Sequence, residues 1–125
     1  MGWLKPLLGR RNKYSAKRTE IDGHVFASKA EGACYSMLKL QELAEEIKIL
    51  SLQDKVYLTH AKILYKPDFK IMDLTLNKIV WIEFKGKETA SWGIKRRLWK
   101  FYGPGPLRIF KASGSRIYLH EEIIP

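Results

Sequence analysis

The stretch KPDFKIMDLTLNKIVWIEFKGK, residues 66–87, sets Asp68 directly after a proline and places Glu83 and Lys85 two positions apart near the end of an apolar run. Side chains alternate along a strand, so Trp81, Glu83 and Lys85 share one face of that run while Val80, Ile82 and Phe84 share the other. Pro67 has no amide to give to a ladder, which loosens pairing beside it and lets Asp68 project from an irregular edge toward Glu83 and Lys85. Two carboxylates at one point bind a hard cation such as Mg²⁺ (or Mn²⁺) through oxygen, leaving positions for water and a phosphate oxygen. Such a cation lowers the pKa of bound water and neutralises charge at a phosphodiester under in-line attack. A lysine beside it orients the water or stabilises the pentacovalent phosphorus. The parts fit phosphodiester hydrolysis. The competing reading is an exposed cross-strand ion pair, worth under about 1 kcal/mol, with Pro-Asp as an ordinary turn opener.

The elements that must position these groups are visible in the pattern. SKAEGACYSMLKLQELAEEIK, from Ser28, repeats Ala30, Cys34, Met37, Leu38, Leu40, Leu43, Ala44 and Ile47 at three and four spacing, which predicts a helix. Ser28 suits its N-cap, and Ser28 with Glu31 fits a capping box. Glu31 shares a face with Cys34, Tyr35 and Leu38, so its carboxylate points to the packed side, where it needs a partner. Three strand-like runs follow, Ile47–Leu58, Ile63–Met72 and Asn77–Lys85, expected as an antiparallel meander. TASWGIKRRLWKFYG returns to helical spacing before GPGP ends it, and LRIFKA and RIYLH read as two short strands around Ser113-Gly114-Ser115. The expected class is α/β (α+β): a central mixed sheet flanked by helices, in the order α-β-β-β-α-β plus a short C-terminal strand. Trp81 and Trp99, on apolar faces, are expected in the core or at an interface rather than as base-stacking platforms.

Length and charge bound the function. With 125 residues there is room for one core, and the 46% apolar share is that of a folded domain. Lys and Arg number 23 against 13 Asp and Glu, a net charge of +10 that attracts polyanions. No run suits a membrane span, residues 1–14 lack the apolar stretch of a signal peptide, and Pro6 stands where myristoylation wants Ser or Thr, so no membrane partner is expected. A lone cysteine, Cys34, fits the reducing cytoplasm, and the separated His24, His60 and His120 form no zinc pattern.

Residues 1–27 read as a basic arm with a short hairpin at Asp22-Gly23, and 28–125 as the catalytic domain. Arg10, Arg11, Lys13, Lys17 and Arg18 of the arm are candidate phosphate contacts. Lys87 and the helix residues Lys95, Arg96, Arg97 and Lys100 join them, although the last four span more than one helical face. A solvated tail and a solvated helix face are the competing readings. No base-reading motif is present.

PDF followed by WIEFKG resembles the PD-(D/E)XK nuclease superfamily, and NKYSAKRTEIDGHVFASKAEGACY is similar to the start of a phage-encoded family within it. That family is similar to endonuclease I type Holliday-junction resolvases, whose Ser-x-x-Glu motif SKAE matches. The likeness runs over roughly residues 12–111. It implies a restriction-endonuclease-like core, with Asp68 and Glu83 as metal ligands and the Phe84 carbonyl completing the inner shell. It further implies Lys85 as catalytic lysine and Glu31 as a further acid. By the same resemblance the expected substrate is branched DNA, above all four-way junctions, cut by a homodimer. A nuclease acting on nicked, flap or linear DNA, and a non-catalytic nucleic-acid-binding module, are the alternatives.

Overall fold

The computed structural model describes residues 18–125, so Arg10, Arg11, Lys13 and Lys17 lie outside the described residues. The Asp22-Gly23 hairpin is present. β1 (Thr19–Ile21) pairs with β2 (His24–Phe26), and the turn residues Asp22 and Gly23 have φ of 54° and 79°. Positive φ at both central residues matches the twist of the flanking strands.

Helix α1 (Lys29–Leu43) begins at Ser28, whose hydroxyl accepts from the Glu31 N–H at 3.0 Å. Cys34, Tyr35 and Leu38 form its buried stripe. Leu40 and Leu43 depart from the expectation, being 68% and 81% exposed. At about 100° per residue they fall on the opposite side from Cys34 and Leu38, so a mixed three and four spacing overcounts the face.

The expected meander needs a larger correction. Each of its first two runs breaks into two strands: β3 (Ile47–Leu52) and β4 (Val56–Leu58), then β5 (Ile63–Tyr65) and β6 (Phe69–Asp73). β3 pairs with β6 and β4 with β5, so together they make one long hairpin bent in the middle. Buried Pro67 removes a donor on one strand, and on the other Gln53 turns with φ 55° while its N–H donates to the Asp68 carbonyl at 3.1 Å. The element order therefore differs from the expected one, with the β1–β2 hairpin ahead of α1 and two extra strands at the bend.

β7 (Lys78–Phe84) continues antiparallel from β6, helix α2 (Ala90–Tyr102) crosses over, and β8 (Leu107–Ser113) returns parallel to β7. β9 (Arg116–Ile123) then turns back antiparallel to β8, giving a mixed five-stranded sheet in the order β3-β6-β7-β8-β9. The expected mixed sheet with flanking helices is thus observed, and its last strand is long rather than short.

The alternation along β7 separates two cores. Val80, Ile82 and Phe84 pack with Phe69, Ile71 and the α1 stripe. Trp81 faces the other way, among Leu107, Ile109, Trp92 and Trp99, and the distal half of the bent hairpin covers that side with Val56, Leu58 and Tyr65. Trp81 and Trp99 are core residues, as expected, with ring centroids 5.7 Å apart at 63°.

The chain leaves α2 through two glycines pressed against these rings. The Trp99 indole N–H donates to the Gly105 carbonyl at 2.8 Å, and a Cβ at Gly103 would lie 2.5 Å from Trp99 Nε1. Gly103→Ala must displace a fully buried indole, so it should destabilise the fold by about 1–3 kcal/mol, as overpacking does. Urea unfolding checks this, and an unchanged midpoint would refute the packing argument.

Candidate active site

The β6–β7 register places Phe69 opposite Ile82, which brings the preceding residue, Asp68, beside Glu83. Asp68 Oδ2 accepts from the Phe84 N–H at 2.8 Å, and Oδ1 accepts from Gln53 Nε2 at 3.3 Å. The bend at Pro67 is what frees Asp68 for this: on a regular strand its side chain could not fold back onto the neighbouring strand's amide. Glu83 Oε1 accepts from the Tyr65 hydroxyl at 2.7 Å, and Lys85 Nζ lies 3.5 Å from its Oε2. The Lys85 ammonium also sits 4.8 Å from the centre of the Trp92 ring, held between a carboxylate and an aromatic face.

Asp68 and Glu83 are only 9% and 6% exposed. Burial and the neighbouring Glu83 and Glu31 charges push the Asp68 carboxyl up to about 8, against the pull of the Phe84 amide and Lys85. Glu83 is also raised by burial, with Tyr65 and Lys85 opposing. Half-buried Glu31 is raised by burial and by Glu83, while the Ala27 backbone and Lys85 favour its charged form. Three carboxylates thus feel one another in a region poor in solvent. Cys34 lies close enough for burial and these acids to push its thiol up to about 12, so it stays protonated and packs as a small hydrophobe.

A divalent cation fits this donor set. The converging atoms are oxygens, and a bound cation would favour the charged forms that burial disfavours at Asp68, Glu83 and Glu31. Asp68 and Glu83 would be its side-chain ligands, with the Phe84 carbonyl as the expected backbone ligand and Glu31 nearby. Among the described residues, no three His, Cys, Asp or Glu side chains gather as a metal cage. Two carboxylates completed by backbone and water is the arrangement Mg²⁺ accepts.

The site opens into a cleft of about 1250 Å³ lined by Glu31, Asp68, Glu83, Phe84 and Lys85. Its remaining walls bring Lys29 from α1, Lys87 from the loop after β7, and Lys111 from β8, with Gly114 and Ser115 of the β8–β9 turn. Glu31, Asp68, Glu83 and Lys85, singled out from spacing and resemblance, are therefore brought to one cavity. The basic helix is divided. Lys95 faces a smaller hollow beside Lys85, Arg96 is engaged by the Glu121 carboxylate, Lys100 Nζ donates to the Ile124 carbonyl at 2.8 Å, and Arg97 is exposed. Arg18 is exposed just before β1.

Tyr65, Gln53, Lys29 and Lys111 were missed from the sequence. Alternation could not assign Tyr65 to the Glu83 face, because Pro67 interrupts the count between Tyr65 and Asp68. Lys111 had no local signal at all, since it reaches the cleft through the β7–β8 parallel pairing.

Residues 11–104 match the family model described as Protein of unknown function (DUF1064). No curated protein matches the chain.

Proposed function

The chain belongs to the family described as Protein of unknown function (DUF1064), and from its site we propose a metal-dependent endonuclease that hydrolyses phosphodiester bonds in DNA, with branched four-way junctions as the preferred target. The observation that carries this is the convergence of buried Asp68 and Glu83 with Lys85 in a cleft walled by further lysines. A structural ion pair alone would not need two buried acids beside one lysine, because burying unmatched charge is costly.

Asp68 and Glu83 would hold Mg²⁺ or Mn²⁺ together with the Phe84 carbonyl. A cation bound there supplies a more acidic water and neutralises charge on the phosphodiester. Tyr65 fixes one oxygen of Glu83, so the carboxylate keeps its orientation when substrate enters. Lys85, fixed by Glu83 and Trp92, holds a positive charge where the attacked phosphate gains negative charge. A cation held there would favour the charged form of Asp68, which burial and Glu83 otherwise disfavour.

The restriction-endonuclease-like core, the junction preference, the homodimer and the cytoplasmic location belong to this proposal. They are supported by the resemblance of PDF, WIEFKG and SKAE, by the mixed sheet with a helix on each face, and by the net charge of +10. Among the described residues, no helix is long and apolar enough to cross a membrane.

The test incubates the purified chain with labelled four-way junction, flap, nicked and linear duplex DNA, each with Mg²⁺, Mn²⁺ or excess chelator. Paired symmetric nicks in the junction, present with either metal and absent with chelator, are expected. Cutting that prefers flaps or linear duplex would keep the chemistry and replace the target. Salt-sensitive binding with no cutting under any condition would remove the enzyme reading in favour of a DNA-binding module.

A further inference from the structure

A second hollow, of about 350 Å³, lies between the β4–β5 half of the bent hairpin and the first turn of α2. Lys66, Lys85 and Lys95 all line it, with Thr89, Ser91 and Trp92. Lys85 lines the large cleft as well, so the two cavities meet at that residue.

The charge in this hollow is lopsided. Among the described residues, Lys85 has Glu83 as its partner, but no carboxylate pairs with Lys66 or Lys95. Lys95 instead lies 6.0 Å from the centre of the Tyr65 ring. No acidic side chain occupies the first turn of α2. Three lysines thus line one small concavity, and a bound anion would offset the repulsion among their charges. Hydroxyl groups at Thr89 and Ser91 add the donors that a phosphate oxygen accepts from.

We propose that this hollow binds a phosphate of the nucleic-acid strand next to the one cut in the large cleft, with Lys66 and Lys95 as its phosphate-binding residues. The assignment rests on the nuclease reading above. It goes beyond it by giving the strand a second anchor: neighbouring phosphates of one strand would straddle Lys85, one in each cavity. The strand is then fixed on both sides of the attacked bond, and its direction through the cleft is set by the hairpin rather than by base contacts.

The test reads binding rather than cleavage. Fluorescent single-stranded and duplex oligonucleotides are titrated with the full chain in chelator across a range of salt. Each neutralised phosphate contributes a slope of about 0.7 for single strands and 0.9 for duplex in log K against log salt. The Lys66→Ala/Lys95→Ala double variant should lose roughly that slope per lysine. A Lys48→Ala/Lys78→Ala double variant, altered at exposed positions at the far end of the sheet, should keep the wild-type slope. Lys66→Arg/Lys95→Arg should retain it too, which guards against a folding artefact.

Equal slopes in the two alanine double variants would overturn the proposal. So would tight binding of inorganic phosphate, seen by ³¹P NMR and lost in the Lys66→Ala/Lys95→Ala variant while its oligonucleotide slope is unchanged, because the hollow would then be a free-anion site. A reduced slope in a chain that never cuts would uphold the strand anchor while the nuclease reading fails. Metal-dependent cutting with an unreduced slope would overturn the anchor alone.

Discussion

Lys85→Ala and Asp68→Asn are each expected to lower metal-dependent cleavage by about 10²-fold or more, the scale seen when one stabilising group is removed from a charged transition state. Junction binding in chelator should change only a few-fold. Lys85 is not a freely moving surface lysine, since Glu83 and the Trp92 ring hold its ammonium from two sides. Its removal deletes a positioned charge while leaving both carboxylates buried. Asp68→Asn removes a ligand charge yet keeps an oxygen able to accept from the Phe84 N–H, so the local backbone should stand. Single-turnover cleavage alongside equilibrium binding separates the two effects. Cleavage retained by both variants would eliminate the mechanism.

The same Asp68→Asn change should make the metal-free protein more stable. The Asp68 carboxyl is pushed from an ordinary 3.8 up to about 8 by burial and by Glu83 and Glu31. A carboxyl raised in the folded state binds more protons folded than unfolded between those values, so its contribution is fully present below about pH 4 and is lost as pH rises through 8. In chelator, the wild-type melting temperature should therefore fall across this window. The variant should lose most of that slope and melt at least about 3 °C higher at pH 8, where 1 kcal/mol corresponds to a shift of a few degrees in a domain of this size. Added Mg²⁺ should raise the wild-type midpoint by mass action and leave the variant nearly unmoved. A variant that melts lower than wild type in chelator at pH 8 would show that Asp68 is a stabilising member of the ion network instead.

Local rules in the sequence reach some of these residues and not others. Ser28, the Asp22-Gly23 turn and the alternation from Val80 to Phe84 were legible because each depends on a local rule: a cap, a turn needing positive φ, a period of two. The grouping of Asp68, Glu83 and Lys85 was legible for the same reason, being a hairpin relation within one continuous stretch. What escaped depends on the bend. Pro67 signals loosened pairing, but nothing local shows that the ribbon folds there and sends Val56, Leu58 and Tyr65 over the Trp face. The division of the α2 cations was equally hidden. Helical spacing shows that Lys95, Arg96 and Lys100 point in different directions, but only the return of β9 supplies Glu121 and the Ile124 carbonyl to occupy two of them.

The bent hairpin and β7 together supply Gln53, Tyr65, Asp68, Glu83 and Lys85, all from a single uninterrupted piece of chain. The rest of the wall, with Lys29, Lys111, Gly114 and Ser115, comes from α1, β8 and the β8–β9 turn. In the nuclease proposed above, every catalytic side chain but Glu31 would therefore come from one segment, and most of the remaining cleft wall from others. A change in the length or charge of the β8–β9 turn would then reshape the wall of the cleft and leave Asp68, Glu83 and Lys85 in place. On that reading, specificity is free to drift faster than chemistry.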